Sequence, residues 1–292
     1  MASLKEIKGR ISSVKSTQKI TSAMKMVASA KLRRAQYQIE RFLPYQERLS
    51  GILDDFLTAD TEFSTPLSAE RPVQSVAIVV FSSNSTLCGA FNSNIIKLLS
   101  GALNRYAHLP SSNIYIYPIG KKVEEAIRKE GITPQGSYIK LMEKPEYEGA
   151  KTIADTLMAD FLSEKIDKVE LIYNHFKSMA VQIPTVETFL PLALHPTNKN
   201  NAKGEIAIDY IVEPDRETAI SMLITKSLRS KIYAALLDSA AAEQAARTVA
   251  MQIATDNADE ILDELSIQFN KQRQQAITSE LLDIIGGSEA LK

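Results

Sequence analysis

The chain has 292 residues, 45% of them hydrophobic and 24% charged, with a net charge of −1; this suits one or two soluble domains. Its one cysteine, Cys88, excludes an internal disulfide or dithiol switch, and no run approaches the roughly 20 apolar residues that span a bilayer. The N-terminus has neither an apolar signal core nor an acid-poor Ser/Arg transit segment, so a cytoplasmic protein is expected, free to dock onto a membrane complex.

The near-neutral charge hides an asymmetry. Residues 1–50 hold eleven Lys/Arg against Glu6, Glu40 and Glu47, whereas residues 215–285 hold seven Lys/Arg against eleven Asp/Glu. The two ends are therefore expected to attract each other, and both could also meet outside partners.

Met1–Gly51 reads as helix, with no breaker between Gly9 and Pro44. A heptad frame fits its two ends: Leu4, Ile7, Ile11 and Val14, then Leu32, Ala35, Ile39 and Phe42. In the middle, polar Gln18, Thr21 and Lys25 fall on that frame, while a neighbouring frame picks up Ile20, Met24 and Val27. Spacing alone leaves two readings open: a phase shift that turns the stripe toward another surface, or a coiled coil with polar layers.

A Thr/Ser/Pro/Glu linker follows over 59–72. Ser75–Phe81 (SVAIVVF) is short, apolar and β-branched, as a buried parallel strand should be. Helices are expected over Phe91–Tyr106, Lys121–Glu130 and Ala150–Glu164. Strands are expected over Asn113–Ile119, Ser137–Leu141, Lys168–His175 and Ala180–Leu190. This alternation argues a doubly wound α/β domain. Residues 195–209 read as a hairpin or loop.

Asp215–Ile285 contains no glycine and no proline. As one helix it would run roughly 106 Å, too long for the core of a protein this size. It should outrun the N-terminal helix by roughly 55 Å and meet other subunits there. Eight alanines between Ala234 and Ala250 allow close backbone approach. Near its end lie Ile277, Leu281, Leu282, Ile284 and Ile285, an apolar set that marks an interaction site when exposed. Gly286-Gly287 offers a stop.

An enzymatic reading finds little support. No GxGxxG or GxxxxGK[ST] occurs, and the loop after the first strand holds only Gly89. Ser83, Ser85 and Cys88 sit in no GxSxG elbow. His108, His175 and His195 are scattered without a metal-binding pattern; His175 reads as structural and Cys88 as a small packed residue. Asp256, Asp259, Glu260, Asp263 and Glu264 read as a solvated face or a partner of the basic arm. Lys31-Leu32-Arg33-Arg34 lacks the aromatic interleaving of a nucleic-acid site apart from Tyr37.

Both ends carry specific motifs: ISSVKSTQKITSAMKMVASAKLRR over Ile11–Arg34, then EQAAR over Glu243–Arg247, ATDNA over Ala254–Ala258 and NKQRQQAITSEL over Asn270–Leu281. These, with Leu87-Cys88-Gly89-Ala90-Phe91-Asn92 in the middle, resemble the gamma subunits of F-type ATP synthases along the whole chain. The resemblance implies an α+β fold: a long antiparallel coiled coil of the N- and C-terminal helices (residues 1–58 and 210–292) plus a Rossmann-like α/β domain (73–195) that binds no nucleotide. It implies a non-catalytic rotor shaft without cofactor, turned by an ion-driven c-ring. Its asymmetric surface would carry each beta subunit through its states.

The implied partners are the alpha and beta subunits, the epsilon subunit and the c-ring. No nucleic acid is implied, and the membrane is met only through the complex, at the cytoplasmic face. Carried over by motif, Met24 and Arg247 couple rotation to catalysis, and Arg273, Gln274 and Thr278 meet the catch loop of beta, with Glu280 in the same block. Lys31, Arg33 and Arg34 face the acidic lever segment of beta. Leu281, Leu282, Ile284 and Ile285 form the tip in an apolar bearing. Two departures stand out: Ser22 where the family often has lysine, and Ser85-Thr86 where its loop usually has Arg-Gly. The regulatory cysteine pair of chloroplast relatives is missing, which points to a bacterial source. A coiled-coil adaptor or nucleic-acid-associated structural protein is the alternative, and a divergent α/β enzyme a third.

Overall fold

The computed structural model describes residues 4–59, 65–192, 211–213 and 215–290. The loop expected over 195–209 lies outside them. The elements in chain order are α1 (Leu4–Ala59), β1 (Val76–Phe81), α2 (Phe91–Arg105), β2 (Ile114–Ile119), α3 (Lys121–Lys129), α4 (Ile139–Glu143), α5 (Tyr147–Leu162), β3 (Lys168–Phe176), β4 (Gln182–Leu190) and α6 (Arg216–Ala290). They pack as two units, one of Met1–Ser29 with Arg247–Lys292 and the other Ala30–Ala246.

The side-chain stripe of α1 never changes phase. Leu4, Ile7, Ile11, Val14, Gln18, Thr21, Lys25, Ala28, Leu32, Ala35, Ile39, Phe42, Gln46, Leu49, Leu53 and Phe56 are each buried or half-buried. Their alternating three- and four-residue spacing is a strict heptad. The seam thus runs through its polar layers, while on the neighbouring frame Met24 is half-buried and Ile20 and Val27 are 60% and 57% exposed, facing away from α6. The frame survives its polar middle because those side chains find partners. In the first unit, Gln18 Nε2 donates to Asp259 Oδ1 at 2.5 Å, the Thr21 and Thr255 hydroxyls lie 2.8 Å apart, and Lys25 Nζ donates to Gln252 Oε1 at 2.7 Å. As the number on α1 rises, that on α6 falls in step, so the helices are antiparallel here. A satisfied polar layer costs little and specifies register, whereas an unsatisfied one would disrupt the seam.

α1 also outlasts its expected breakers, running through Pro44 and Gly51. Pro44 removes one N–H, but it and Glu40, four residues earlier, are both exposed, so the orphaned carbonyl faces water. Burial of Leu49, Leu53 and Phe56 beyond it offsets the loss. The two helices thus differ by 75 − 56 = 19 residues, roughly 28 Å rather than 55 Å. α6 likewise passes through Gly286-Gly287, since glycine weakens a helix without forbidding it.

The second unit is a four-stranded sheet of order β2-β1-β3-β4, parallel except for the β3–β4 hairpin. Every residue of β1 is fully buried because helices cover both faces. Val76, Ile78 and Val80 pack with Ile95 and Leu99 of α2 and with Val123 and Ile127 of α3. Ala77, Val79 and Phe81 face Ile153, Leu157 and Phe161 of α5, Leu53 and Phe56 of α1, and Ile220 to Leu236 of α6. The strand period of two sorts the β1 residues between these faces.

Ser137–Leu141 is not the expected strand. The chain touches β2 through one bridge, Ile116 with Pro134, and Gln135 N–H donates to the Ile116 carbonyl at 2.7 Å. Proline cannot donate to a ladder, and Gly136 turns the chain away at φ 86° into α4.

Candidate functional site

In a doubly wound fold the first place to look for a ligand is the loop after β1. Here that loop is spent on packing. Ser83 N–H donates to Asn92 Oδ1 at 3.1 Å, and Asn92 Nδ2 donates to Ser83 Oγ at 2.8 Å and to Cys88 Sγ at 3.2 Å. The buried Cys88 and Phe91 lie against Ala242 and Ala246 of α6, where alanine lets the loop approach the helix closely.

The neighbouring helix start is filled as well. Lys121 N–H donates to Asn84 Oδ1, Lys122 N–H to the Ser83 carbonyl and Val123 N–H to Ser82 Oγ, at 2.9, 3.1 and 3.0 Å. The donors that would greet an anion at α3 are bound to the chain itself. Gly120 makes this possible: at φ 107°, a Cβ there would stand 2.0 Å from the Ser82 carbonyl oxygen. Among the described residues no group of His, Cys, Asp and Glu could hold a metal ion.

The outward faces of the first unit offer more. Its α1 segment exposes Lys15, Lys19, Ile20, Met26 and Val27, and its α6 segment exposes Ile253, Asp256, Asp259, Glu260, Ile261, Asp263, Glu264 and Ile267. The expected attraction between the arms does not take the form of ion pairs at this point. None of Lys15, Lys19 or Lys25 pairs with those acids; the seam is hydrogen-bonded instead. Opposite charge therefore stays on opposite helices, interleaved with bare isoleucines, which makes the surface lopsided. Exposed isoleucines grouped in this way mark an interaction surface.

The residues singled out by motif fall into distinct settings. Met24 is half-buried beside the Lys25 layer. Arg247 is buried on α6, at 8% exposure. Lys31, Arg33 and Arg34 are exposed on α1 in the second unit, on either side of the buried Leu32. Arg273, Gln274, Thr278 and Glu280 are exposed on α6. The inward stripe of α6 runs Met251, Thr255, Ala258, Leu262, Leu265, Phe269, Gln272, Ala276 and stops. Beyond it Leu281, Leu282, Ile284 and Ile285 are 54–68% exposed. No helix among the described residues is long and apolar enough to cross a membrane.

Sequence reading missed Asp238. Its Oδ2 lies 2.6 Å from His175 Nδ1, and its Oδ1 accepts the Phe176 N–H at 2.8 Å. A lone aspartate on a helix gives no sequence signal of a partner 62 residues away. The polar layers did leave a signal, in three successive polar residues on one heptad frame.

A family model described as ATP synthase matches residues 3–291. The chain is 57% identical over 290 residues to the ATP synthase gamma chain of Bacteroides fragilis strain YCH46, covering 99% of this chain and all of the relative. It is 43% identical over 292 residues to that of Flavobacterium johnsoniae, covering 100% and 99%. Among solved structures, it resembles a chain of the Tetrahymena thermophila mitochondrial ATP synthase central stalk and c-ring. That match has TM-score 0.57 and 25% identity, covering 80% of this chain and 99% of the other. A chain of the Euglena gracilis mitochondrial ATP synthase in rotational state 3 shares the fold, with TM-score 0.66 and 20% identity over 99% and 94% of the two chains.

Proposed function

Since the chain belongs to the ATP synthase gamma-chain family, we propose how its own residues serve that family's work. It is the central rotor shaft of an F-type ATP synthase, coupling ion-driven rotation to ATP synthesis and hydrolysis at the beta subunits. The adaptor and enzyme readings are not favoured. The working division is residues 1–58 and 210–292 as shaft and 73–195 as the domain attached to it. The subunit itself carries out no bond chemistry. It acts from the cytoplasmic face of a bacterial membrane, with alpha, beta and epsilon subunits and the c-ring as partners.

The observation that supports this reading best is the lopsided outer face of the first unit. A shaft inside a ring of three similar sites does work only if each site meets a different face. With basic residues outward on α1, acidic residues on α6 and isoleucines between, each third of a turn replaces one contact set by another. A contact that differs between two states of a beta subunit biases that subunit by the difference in binding free energy. Lys31, Arg33 and Arg34 suit an acidic lever segment, and Arg273, Gln274, Thr278 and Glu280 a polar catch loop. The apolar end from Leu281 to Ile285 suits a greasy bearing. Met24 contributes beside the polar seam, and buried Arg247 acts by holding the shape of α6.

The test is Arg273→Ala with Gln274→Ala in the reconstituted complex. ATPase turnover and coupling should fall while the isolated subunit keeps its helical content. Unchanged turnover and coupling would refute the assignment of these residues.

A further inference from the structure

We infer that Arg34, Arg41 and Arg48, with Tyr37, form a docking ladder for a helix of another subunit that carries carboxylates seven residues apart. This deepens the rotor reading and rests on it. That reading gives Arg34 an acidic neighbour, and the ladder continues roughly 21 Å beyond it along α1.

The three arginines stand seven residues apart, close to two helical turns, so they form one row along α1. All three are exposed, and so are Tyr37, Glu40 and Glu47. The row lies away from the stripe of Leu32, Ala35, Ile39 and Phe42 that packs inward. α1 cannot neutralise this row itself. Side chains on one helix face each other at three and four residues, and at those distances from Arg34, Arg41 and Arg48 the sequence places no acid. Among the described residues none of the three takes part in an ion pair. The cations of α3 and α5 differ: Lys122 pairs with Glu125, Arg128 with Glu124 and Lys151 with Glu148.

Glu40 and Glu47 make a second row with the same repeat. Each precedes an arginine by one residue, so the rows are offset by about 100° round the helix. Two rows of opposite sign, side by side, call for a partner with the reverse arrangement at the same repeat. A helix laid along α1 has that repeat. A nucleic-acid backbone, negative throughout, would be repelled by the glutamates. Tyr37 supplies contact area and orders the row. Arg41 Cζ lies 5.5 Å from the centre of its ring, an attraction that holds the guanidinium in place before a partner arrives. Less side-chain freedom is then lost on docking, and tyrosine and arginine are the residue types on which binding energy concentrates.

The test is made on the complete purified complex carrying Arg41→Lys and Arg48→Lys, which keep the charge and add an amine. A water-soluble carbodiimide joins amines to carboxylates in contact, and mass spectrometry of the digested complex reads the joined pairs. Both introduced amines should be joined to one helix of another subunit, at Asp or Glu residues seven apart. Arg41→Glu with Arg48→Glu should weaken retention of that subunit severalfold while the isolated chain keeps its helical content. Bonds to acids of unrelated spacing, bonds only to this chain's own acids, or no bond at either position overturn the ladder. So does a short DNA duplex that binds the wild-type chain at physiological salt and is released by the two glutamates. Absence of alpha and beta subunits from the complex purified with the wild-type chain would instead sink the rotor reading beneath it.

Discussion

The Thr21 and Thr255 hydroxyls lie 2.8 Å apart inside the seam between α1 and α6. Each also lies within reach of its own helix, Thr21 at 3.0 Å from the Gln18 carbonyl and Thr255 at 2.8 Å from that of Met251. Two protons serve three contacts, so one hydroxyl bonds across while the other bonds back. Thr21→Val should destabilise the isolated chain by about 1 kcal/mol, and the Thr21→Val/Thr255→Val pair should be close to neutral. A denaturant double-mutant cycle measures this; strictly additive effects would mean that the hydroxyls do not interact.

Glu170 is the buried charge of the α/β domain. Tyr106 O–H donates to it at 2.7 Å, Arg105 Nη2 at 2.9 Å, and Lys168 Nζ lies at 3.0 Å. Burial pushes its carboxyl upward, but the hydrogen bonds from Tyr106 and Lys168 and the charges of Lys168 and Arg105 outweigh that and hold it below the usual carboxylate range. A carboxylate depressed on folding stabilises above its unfolded pKa, and the contribution vanishes as pH falls through the folded value. Glu170→Gln should therefore lose stability at neutral pH, by about 2–3 kcal/mol given that Arg105 is half exposed. The gap from wild type should close in acid. Urea titrations at pH 7 and in the acid range check the sign; a gap that widened on acidification would contradict it.

Two glycines with left-handed backbones separate conformational strain from collision. Gly89 has φ 57° and open space where a Cβ would go, whereas at Gly120, φ 107°, the Cβ would overlap the Ser82 carbonyl. Gly89→Ala should cost about 1–2 kcal/mol. Gly120→Ala should cost about 3 kcal/mol or more, because the β1 end must move off the α3 start it caps. Thermal unfolding of the two variants should rank them in that order.

The sequence made some of this plain and hid the rest for physical reasons. Unbroken β-branched apolar runs such as Val76–Phe81 have few fates, so the sheet was legible. The heptad of α1 was also legible, but counting breakers stopped it at Gly51, because a glycine weakens a helix without forbidding it and the burial of Leu53 and Phe56 beyond it carries the helix on. Ser137–Leu141 failed because Pro134 and Gly136 break its pairing before it starts. The exposure of Arg273, Gln274, Thr278 and Glu280 could be read from their polarity. The burial of Arg247 could not, since it depends on how α6 is packed, and the Asp238 tie spans too much chain to leave a local mark.

The most direct test is to attach a probe to this subunit in the surface-immobilised complex with alpha and beta subunits and watch it during ATP hydrolysis. The account predicts unidirectional rotation that pauses at three equally spaced angles per turn. ATP hydrolysis at full rate with the probe stationary would contradict it.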